Sequence, residues 1–227
     1  MTEHVQPQAV LFDLDGTLVD SLPTIGAAMS AALKEFGHHI DVATIIPQIG
    51  APMPVLAAEL TGASEDEAEQ INERYLSLYY DDFIQKTKPF DGATELLDRL
   101  SAAGVALGVV TNKNEHGAHM MVEIQGWKPT FDVVVGRDTT ARPKPWPDGT
   151  LHGLQVLGAS PEQAALVGDT EFDMGAGRDA ELRYNLGMLG ARDEARLREA
   201  GATHVFETLP AVGDLLLDGR LPATTRA

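Results

Sequence analysis

Ala9-Val10-Leu11-Phe12-Asp13-Leu14-Asp15-Gly16-Thr17-Leu18 runs four apolar residues straight into two carboxylates and a glycine. A continuous apolar run suits a strand buried on both faces, as in a parallel sheet. Asp13 and Asp15 sit two apart, so in extended backbone both face one pocket. Gly16 then lets the chain turn away. Asp-Gly is also a hairpin signal. A hairpin needs a partner strand close behind, however, and helix-like sequence comes instead. In open α/β sheets ligands bind at the carboxyl ends of strands, near the point where strand order reverses. Two carboxylates just past a buried strand therefore mark a candidate site.

Five further apolar runs lie downstream: Val105–Val110, Val133–Val135, Ala164–Val167, Tyr184–Leu189 and His204–Phe206. The segments between them read as helices. Thr94 to Ala103 puts Leu96, Leu97 and Leu100 on one face and stops at Gly104. Ser160-Pro161-Glu162-Gln163 reads as an N-cap, a first-turn proline and a capping-box glutamine. Asp193 to Ala200 ends at Gly201 in the same manner. Strand–helix alternation of this kind predicts a doubly wound, Rossmann-like α/β domain with a parallel sheet.

Ser21 to Lys88 breaks the alternation, with almost no strand signal. Leu22–Phe36 and Pro54–Leu60 read as helices, and Ser64-x-x-Glu67 is a capping box ahead of a long helix through Tyr75, Leu78 and Phe83. The expected organisation is an α/β core from residues 1–20 and 89–227, with an all-helical domain, 21–88, inserted as a cap. Crossings near Val19–Ser21 and Thr87–Asp91, the second punctuated by Pro89 and Gly92, make a natural hinge for a lid.

Three more motifs come after apolar runs. Thr111-Asn112-Lys113 offers donors that suit a phosphate oxygen, though a plain loop start is the simpler reading of it alone. Pro143 and Pro145 stiffen the backbone around Lys144 and fix where its ammonium points. In Asp169-Thr170-Glu171-Phe172-Asp173, two carboxylates four apart suit a hard cation such as magnesium, while Asp169 or Thr170 also fits a helix cap. In a parallel sheet all these strand ends lie on one edge. Carboxylates, a hydroxyl and a fixed lysine then converge, which is what phosphoryl transfer requires.

The whole-chain properties fit. The 227 residues are 44% hydrophobic, enough for one large domain or two small ones. With no cysteine there is neither a disulfide framework nor a thiolate site, and a cytoplasmic protein is expected. The polar N-terminus and the lack of a long apolar run predict neither signal peptide nor membrane span. A net charge of −17 argues against nucleic acid or an anionic membrane as partner. It would also repel a phosphorylated substrate, so a local cation must attract it: a metal, a lysine or backbone N–H groups. His38-His39 reads as a solvated helix end, Met120-Met121 and Trp127 as packing, and Glu65–Glu73 as a solvated helix face. Trp146 either walls the site or packs its loop.

Taken together, the motifs resemble the haloacid dehalogenase superfamily, in its phosphoglycolate-phosphatase-like branch. Asp13–Ser21 is similar to the first family motif almost letter for letter, Thr111-Asn112-Lys113 to the second, Lys144–Pro147 to the third and Gly168–Asp173 to the fourth. Pro89–Ala93 is similar to the segment that re-enters the core after a helical cap. The resemblance implies a phosphatase that forms an aspartyl phosphate on Asp13, with Asp15 as acid and then base. It implies Mg2+ bound by Asp13, the Asp15 carbonyl and Asp169, with Asp173 behind them or acting through water. Thr111, the amide at Asn112 and Lys144 would hold the phosphoryl oxygens. The partner implied is a small phosphorylated metabolite, 2-phosphoglycolate first, with pyrophosphate or another sugar or nucleotide phosphate as alternatives.

Within the superfamily, Asp15 disfavours dehalogenases and phosphonoacetaldehyde hydrolases, which lack an acid there. Ile49–Pro54 carries no positive charge, which disfavours a β-phosphoglucomutase and departs from the better-known phosphoglycolate phosphatases. Asn185 stands where the family has small apolar residues. Readings of another class are a phosphoacceptor signalling module and a silent binding protein on the same fold.

Overall fold

The computed structural model describes residues 5–50 and 52–220. Ala51, in the uncharged segment Ile49–Pro54, and the first four residues of the polar N-terminus lie outside the described residues. The chain divides into two compact units, one built from residues up to Leu18 and from Pro89 onward, the other from Val19–Lys88.

In chain order the strands are β1 (Ala9–Phe12), β2 (Val19–Asp20), β3 (Lys88–Pro89), β4 (Ala106–Val110), β5 (Val133–Val135), β6 (Ala164–Gly168), β7 (Tyr184–Met188) and β8 (His204–Phe206). The helices are α1 (Leu22–Glu35), α2 (Val42–Ile45), α3 (Met53–Thr61), α4 (Glu65–Leu78), α5 (Ala93–Ala102), α6 (Glu115–Ile124), α7 (Asp148–Leu157), α8 (Glu171–Asp179), α9 (Glu194–Ala200) and α10 (Leu209–Asp218).

The larger unit is a doubly wound α/β fold. Its six-stranded sheet has the order β5-β4-β1-β6-β7-β8, and every described pairing within it is parallel. All six strands are the apolar runs of the sequence. β1 is the hinge of the topology: the chain moves outward through β4 and β5, then returns to β6 on the other side. Right-handed crossovers that travel in opposite directions lie on opposite faces of the sheet. The packing agrees, for α5 lies against α10 and α7 against α8. The four residues of β1 are fully buried, as are those of β6. That is why their sequences do not alternate.

The smaller unit is helical. Ile25, Met29, Leu33, Ile45, Leu56 and Ile71 form its interior. Ser64 caps α4 by accepting from the Glu67 N–H at 3.3 Å, as its sequence pattern predicts. Tyr75 and Tyr79 stack at 5.6 Å between ring centroids. The long helix expected through Phe83 is α-helical only to Leu78 and continues as a π-helical turn, Tyr79–Phe83. β2 and β3 pair as a two-stranded sheet. No helix of the described residues is long and apolar enough to cross a membrane.

One further expectation changes. Ser160-Pro161-Glu162-Gln163 caps no α-helix: Pro161–Gln163 is one 3-10 turn that runs straight into β6. The apolar run that begins at Ala164 takes the chain over before a second turn can form. Asn185, unexplained in sequence, is a cross-tie. It sits buried in β7 and its side-chain amide donates to the Met174 carbonyl at 2.8 Å and the Gly201 carbonyl at 3.0 Å. A Cβ at Gly177 would overlap the Asn185 amide oxygen, so glycine there makes the room. Trp127, read as structural, is buried and donates to the Thr94 hydroxyl at 3.0 Å.

Asn185→Ala removes both donations to backbone carbonyls, the one to Met174 buried and the one to Gly201 partly so. It is expected to lower the unfolding free energy by about 2 kcal/mol. Urea denaturation measures this, and an unchanged midpoint would show that the cross-tie contributes nothing.

Candidate active site

The site forms where β4, β1 and β6 end side by side. Asp13 comes directly after β1, Thr111 after β4 and Asp169 after β6. Their backbones are held by the ladder: the Asp13 N–H donates to the Val167 carbonyl at 2.9 Å, and the Thr111 N–H to the Val135 carbonyl at 3.0 Å. Adjacent strand ends at a reversal of strand order leave a crevice that no crossover fills.

Beyond Asp13 the chain turns. The Thr17 and Leu18 N–H groups both donate to the Leu14 carbonyl. Gly16 has φ +84°, and a Cβ there would overlap the Asp169 carboxylate. Glycine is thus required twice over, for its positive φ and for the close approach. The turn also presents the Thr17 hydroxyl to Asp169 Oδ1 at 2.9 Å.

Lys144 reaches this point from the proline-flanked loop ahead of α7. It is only 5% exposed. Its ammonium donates to the Val110 carbonyl at 2.9 Å and to Asp173 Oδ1, and stands 3.1 Å from Asp13 Oδ1. Asp173 is wholly buried, and its other oxygen accepts from the Thr170 N–H at 3.0 Å and the Thr170 hydroxyl at 2.6 Å. Thr170 and Asp173 are thereby the capping box of α8. The cap reading and the functional reading of this motif are both realised, by the same side chain.

Asp13, Asp169 and Asp173 are buried and offer carboxylate oxygens that all lie within 4.8 Å of one another. Burial, reinforced by Asp173 and Asp15, pushes the Asp13 carboxyl up to about 6 against the pull of Lys144 and Thr111. Burial likewise raises Asp169 well above the usual carboxylate range, with Asp173 and Asp13 adding to it. Burial disfavours the Lys144 ammonium, but Asp13 and Asp173 outweigh it and hold the group above its ordinary value. Three carboxylates against that ammonium leave an excess of negative charge. Asp13 Oδ1 is buried and makes no hydrogen bond. Three buried carboxylates within 4.8 Å, all oxygen donors with only one ammonium against them, fit a hard divalent cation.

Of the remaining residues expected here, Asp15 is present and ion-paired: Lys113 Nζ lies 2.9 Å from Oδ2 and 3.2 Å from Oδ1. The Asn112 side chain donates to the Lys144 carbonyl at 3.1 Å, so it ties the lysine loop to the end of β4. Trp146 is half exposed, with the Arg142 guanidinium 4.5 Å from its ring centroid. Sequence reasoning assigned no place in the site to Thr17, Thr170 or Lys113. Each lies inside one of the motifs, yet a hydroxyl or ammonium carries no sign in sequence of which carboxylate it will meet.

Fold and site define a doubly wound α/β protein with an acidic centre at the sheet's switch point and a helical insertion after the first strand. The model of the haloacid dehalogenase-like hydrolases matches residues 10–186, and the chain belongs to that family. It is phosphoglycolate-phosphatase-like in sequence. It is 34% identical to a phosphoglycolate phosphatase of Aquifex aeolicus over 81% of this chain and 85% of that one. It is 34% identical to one of Rhodospirillum rubrum over 92% of this chain and 91% of the other. A solved haloacid dehalogenase-like hydrolase of Streptococcus pneumoniae superposes with TM-score 0.81 at 29% identity, covering 91% of this chain and 96% of that one.

The repulsion has a measurable consequence. In chelator at about pH 7.5, added magnesium is expected to raise the melting temperature by about 5–10 °C at a hundredfold excess over its dissociation constant. Asp169→Asn is expected to melt above the native protein in chelator and to lose most of that response. A raised carboxyl makes the folded protein bind more protons than the unfolded chain between 3.8 and about 6. The metal-free protein therefore loses stability as pH rises through that window. The magnesium effect should accordingly shrink toward about pH 5, where protons relieve the repulsion instead. A melting curve indifferent to magnesium at both pH values would remove the cation from this site.

Proposed function

We propose that the chain is a phosphoric monoester hydrolase that works through a phosphorylated Asp13, with magnesium as its cation and a small phosphorylated metabolite as substrate. One observation carries this reading: the oxygens of Asp13, Asp169 and Asp173 gather within 4.8 Å, with the Lys144 ammonium 3.1 Å from Asp13. Asp13 and Asp169, with the Asp15 carbonyl, would hold the cation. Asp173, engaged by Lys144 and Thr170, supports them from behind. A bound divalent ion supplies positive charge that draws in and offsets a phosphoryl dianion.

The chain's own residues do the rest. The Asp13 carboxylate attacks phosphorus while the P–O bond to the ester oxygen breaks. That oxygen takes a proton from the Asp15 carboxyl and leaves as an alcohol. Asp15, now a carboxylate, then removes a proton from the water that attacks phosphorus. The acyl phosphate bond breaks, giving inorganic phosphate and a free Asp13. Thr111, the Asn112 backbone N–H and Lys144 hold the non-bridging oxygens as charge develops on them. Lys144 and the cation answer the repulsion that a chain of net charge −17 sets up, because screening confines that field to about 8 Å.

2-Phosphoglycolate is the first substrate on the strength of the relatives, named as phosphoglycolate phosphatases. A panel of phosphorylated metabolites with pyrophosphate, assayed with magnesium for phosphate release, tests this. Asp13→Asn serves as the blank and is expected to fall by about 10^3-fold or more. Near-native turnover in that variant would overturn the nucleophile, and a single unreplenished equivalent of phosphate would favour a phosphoacceptor module instead. Asp15→Asn is expected to lose about 10^2- to 10^4-fold on alkyl phosphates and far less on p-nitrophenyl phosphate, whose leaving group needs no proton. Equal losses on both esters would remove Asp15 as the acid.

A further inference from the structure

Asp15 has a task that its surroundings oppose. To protonate a leaving oxygen its carboxyl group must stay beside Asp13. Yet it stands on a turn two residues further on, next to a cluster with excess negative charge, and Asp13 and Asp15 repel. An unrestrained carboxylate there lowers its energy by swinging out to water.

Lys113 opposes that swing. Its ammonium meets both oxygens of Asp15, and the two side chains are 7% and 16% exposed. The lysine is itself well anchored. Its N–H donates to the Thr111 hydroxyl at 3.2 Å, and its carbonyl accepts from the Arg137 N–H at 2.9 Å. The pair therefore spans from the end of β4 to the turn after β1. The anchored backbone sets where the ammonium stands, and the ammonium sets where Asp15 points. Exposed ion pairs contribute little, but this one is largely shielded and carries positional information.

We propose that Lys113 is the positioning residue for Asp15, holding its carboxyl group over the bond that breaks; this rests on the phosphatase reading above. Lys113 acts through Asp15, so its loss should track the difficulty of protonating the leaving group.

The test is a kinetic comparison of Lys113→Met, Lys113→Arg, Asp15→Asn and the double variant Lys113→Met/Asp15→Asn, on p-nitrophenyl phosphate and on the best alkyl phosphate of the panel. Lys113→Met is expected to lower kcat on the alkyl ester by about 10- to 100-fold and on the aryl ester by less than about 3-fold, with KM changed by less than about 3-fold on either. Lys113→Arg is expected to restore most of the alkyl-ester rate. The double variant should be no slower than Asp15→Asn alone. A raised KM on both esters with kcat preserved would overturn the proposal and make Lys113 a phosphate ligand. An equal fall in kcat on both esters, or additive losses in the double variant, would overturn it too. If Lys113→Met does not fold, as judged by circular dichroism, Lys113→Gln takes its place under the same criteria. Asp13→Asn is run alongside: its inactivity with a silent Lys113→Met sinks this proposal alone, whereas an active Asp13→Asn sinks the phosphatase reading.

Discussion

Lys144 is the constraint on which the centre depends. A buried ammonium without partners would give up its proton or pull the loop outward. Here it has Asp13, Asp173 and the Val110 carbonyl around it. The dependence is mutual, since burying Asp13 and Asp173 without a cation beside them would be costlier still. One side chain thus fastens the end of β1, the end of β4 and the first turn of α8 to the loop before α7. Removing it would take the neighbouring positive charge from two buried carboxylates, so the fold itself needs this lysine.

The sheet explains why these groups can meet. Parallel strands point the same way, so the residues just past their carboxyl ends all lie on one edge. β1 sits between β4 and β6, and the three strands end level: Phe12 pairs with Val109 on one side and Val167 on the other. Asp13, Thr111 and Asp169 come within one to two residues of those register partners. Residues nearly a hundred positions apart in sequence are thereby brought side by side by the register of the sheet, and Lys144 then ties them together.

Much of this was legible in the residues, for physical reasons. The inner strands β1, β4, β6 and β7 are almost wholly buried and stand out as apolar runs. A strong cap such as Ser64 acts over three residues and needs no tertiary context. The parts that stayed hidden depended on distance. Nothing local says that Thr17 will face Asp169 across 152 positions, or that Lys113 will reach Asp15 across 98. Ser160 to Gln163 carries a cap pattern, but the strand behind it allows only one turn. The π-helical turn after Leu78 likewise leaves no mark in a periodicity read at 3.6 residues. Asn185 looked like an anomaly because its partners, Met174 and Gly201, are supplied by α8 and by the turn after α9.

Asp173 shows most clearly why fold and site cannot be separated in this protein. As the third residue of α8, its carboxylate satisfies the Thr170 N–H, one of the groups a helix start leaves without an intrahelical partner. Its other oxygen takes the Lys144 ammonium. A carboxylate whose oxygens are both engaged is poorly suited to bind a cation directly, but well suited to aim the lysine that serves Asp13. The same bonds hold the start of α8 in register with Asp169, four residues earlier, whose own oxygen is set by Thr17. The cation would then bind at oxygens whose positions are fixed by a helix cap on one side and a glycine turn on the other. An acidic centre built this way carries its repulsion in advance, and a positive ion would relieve it while drawing in the phosphoryl group of the proposed reaction.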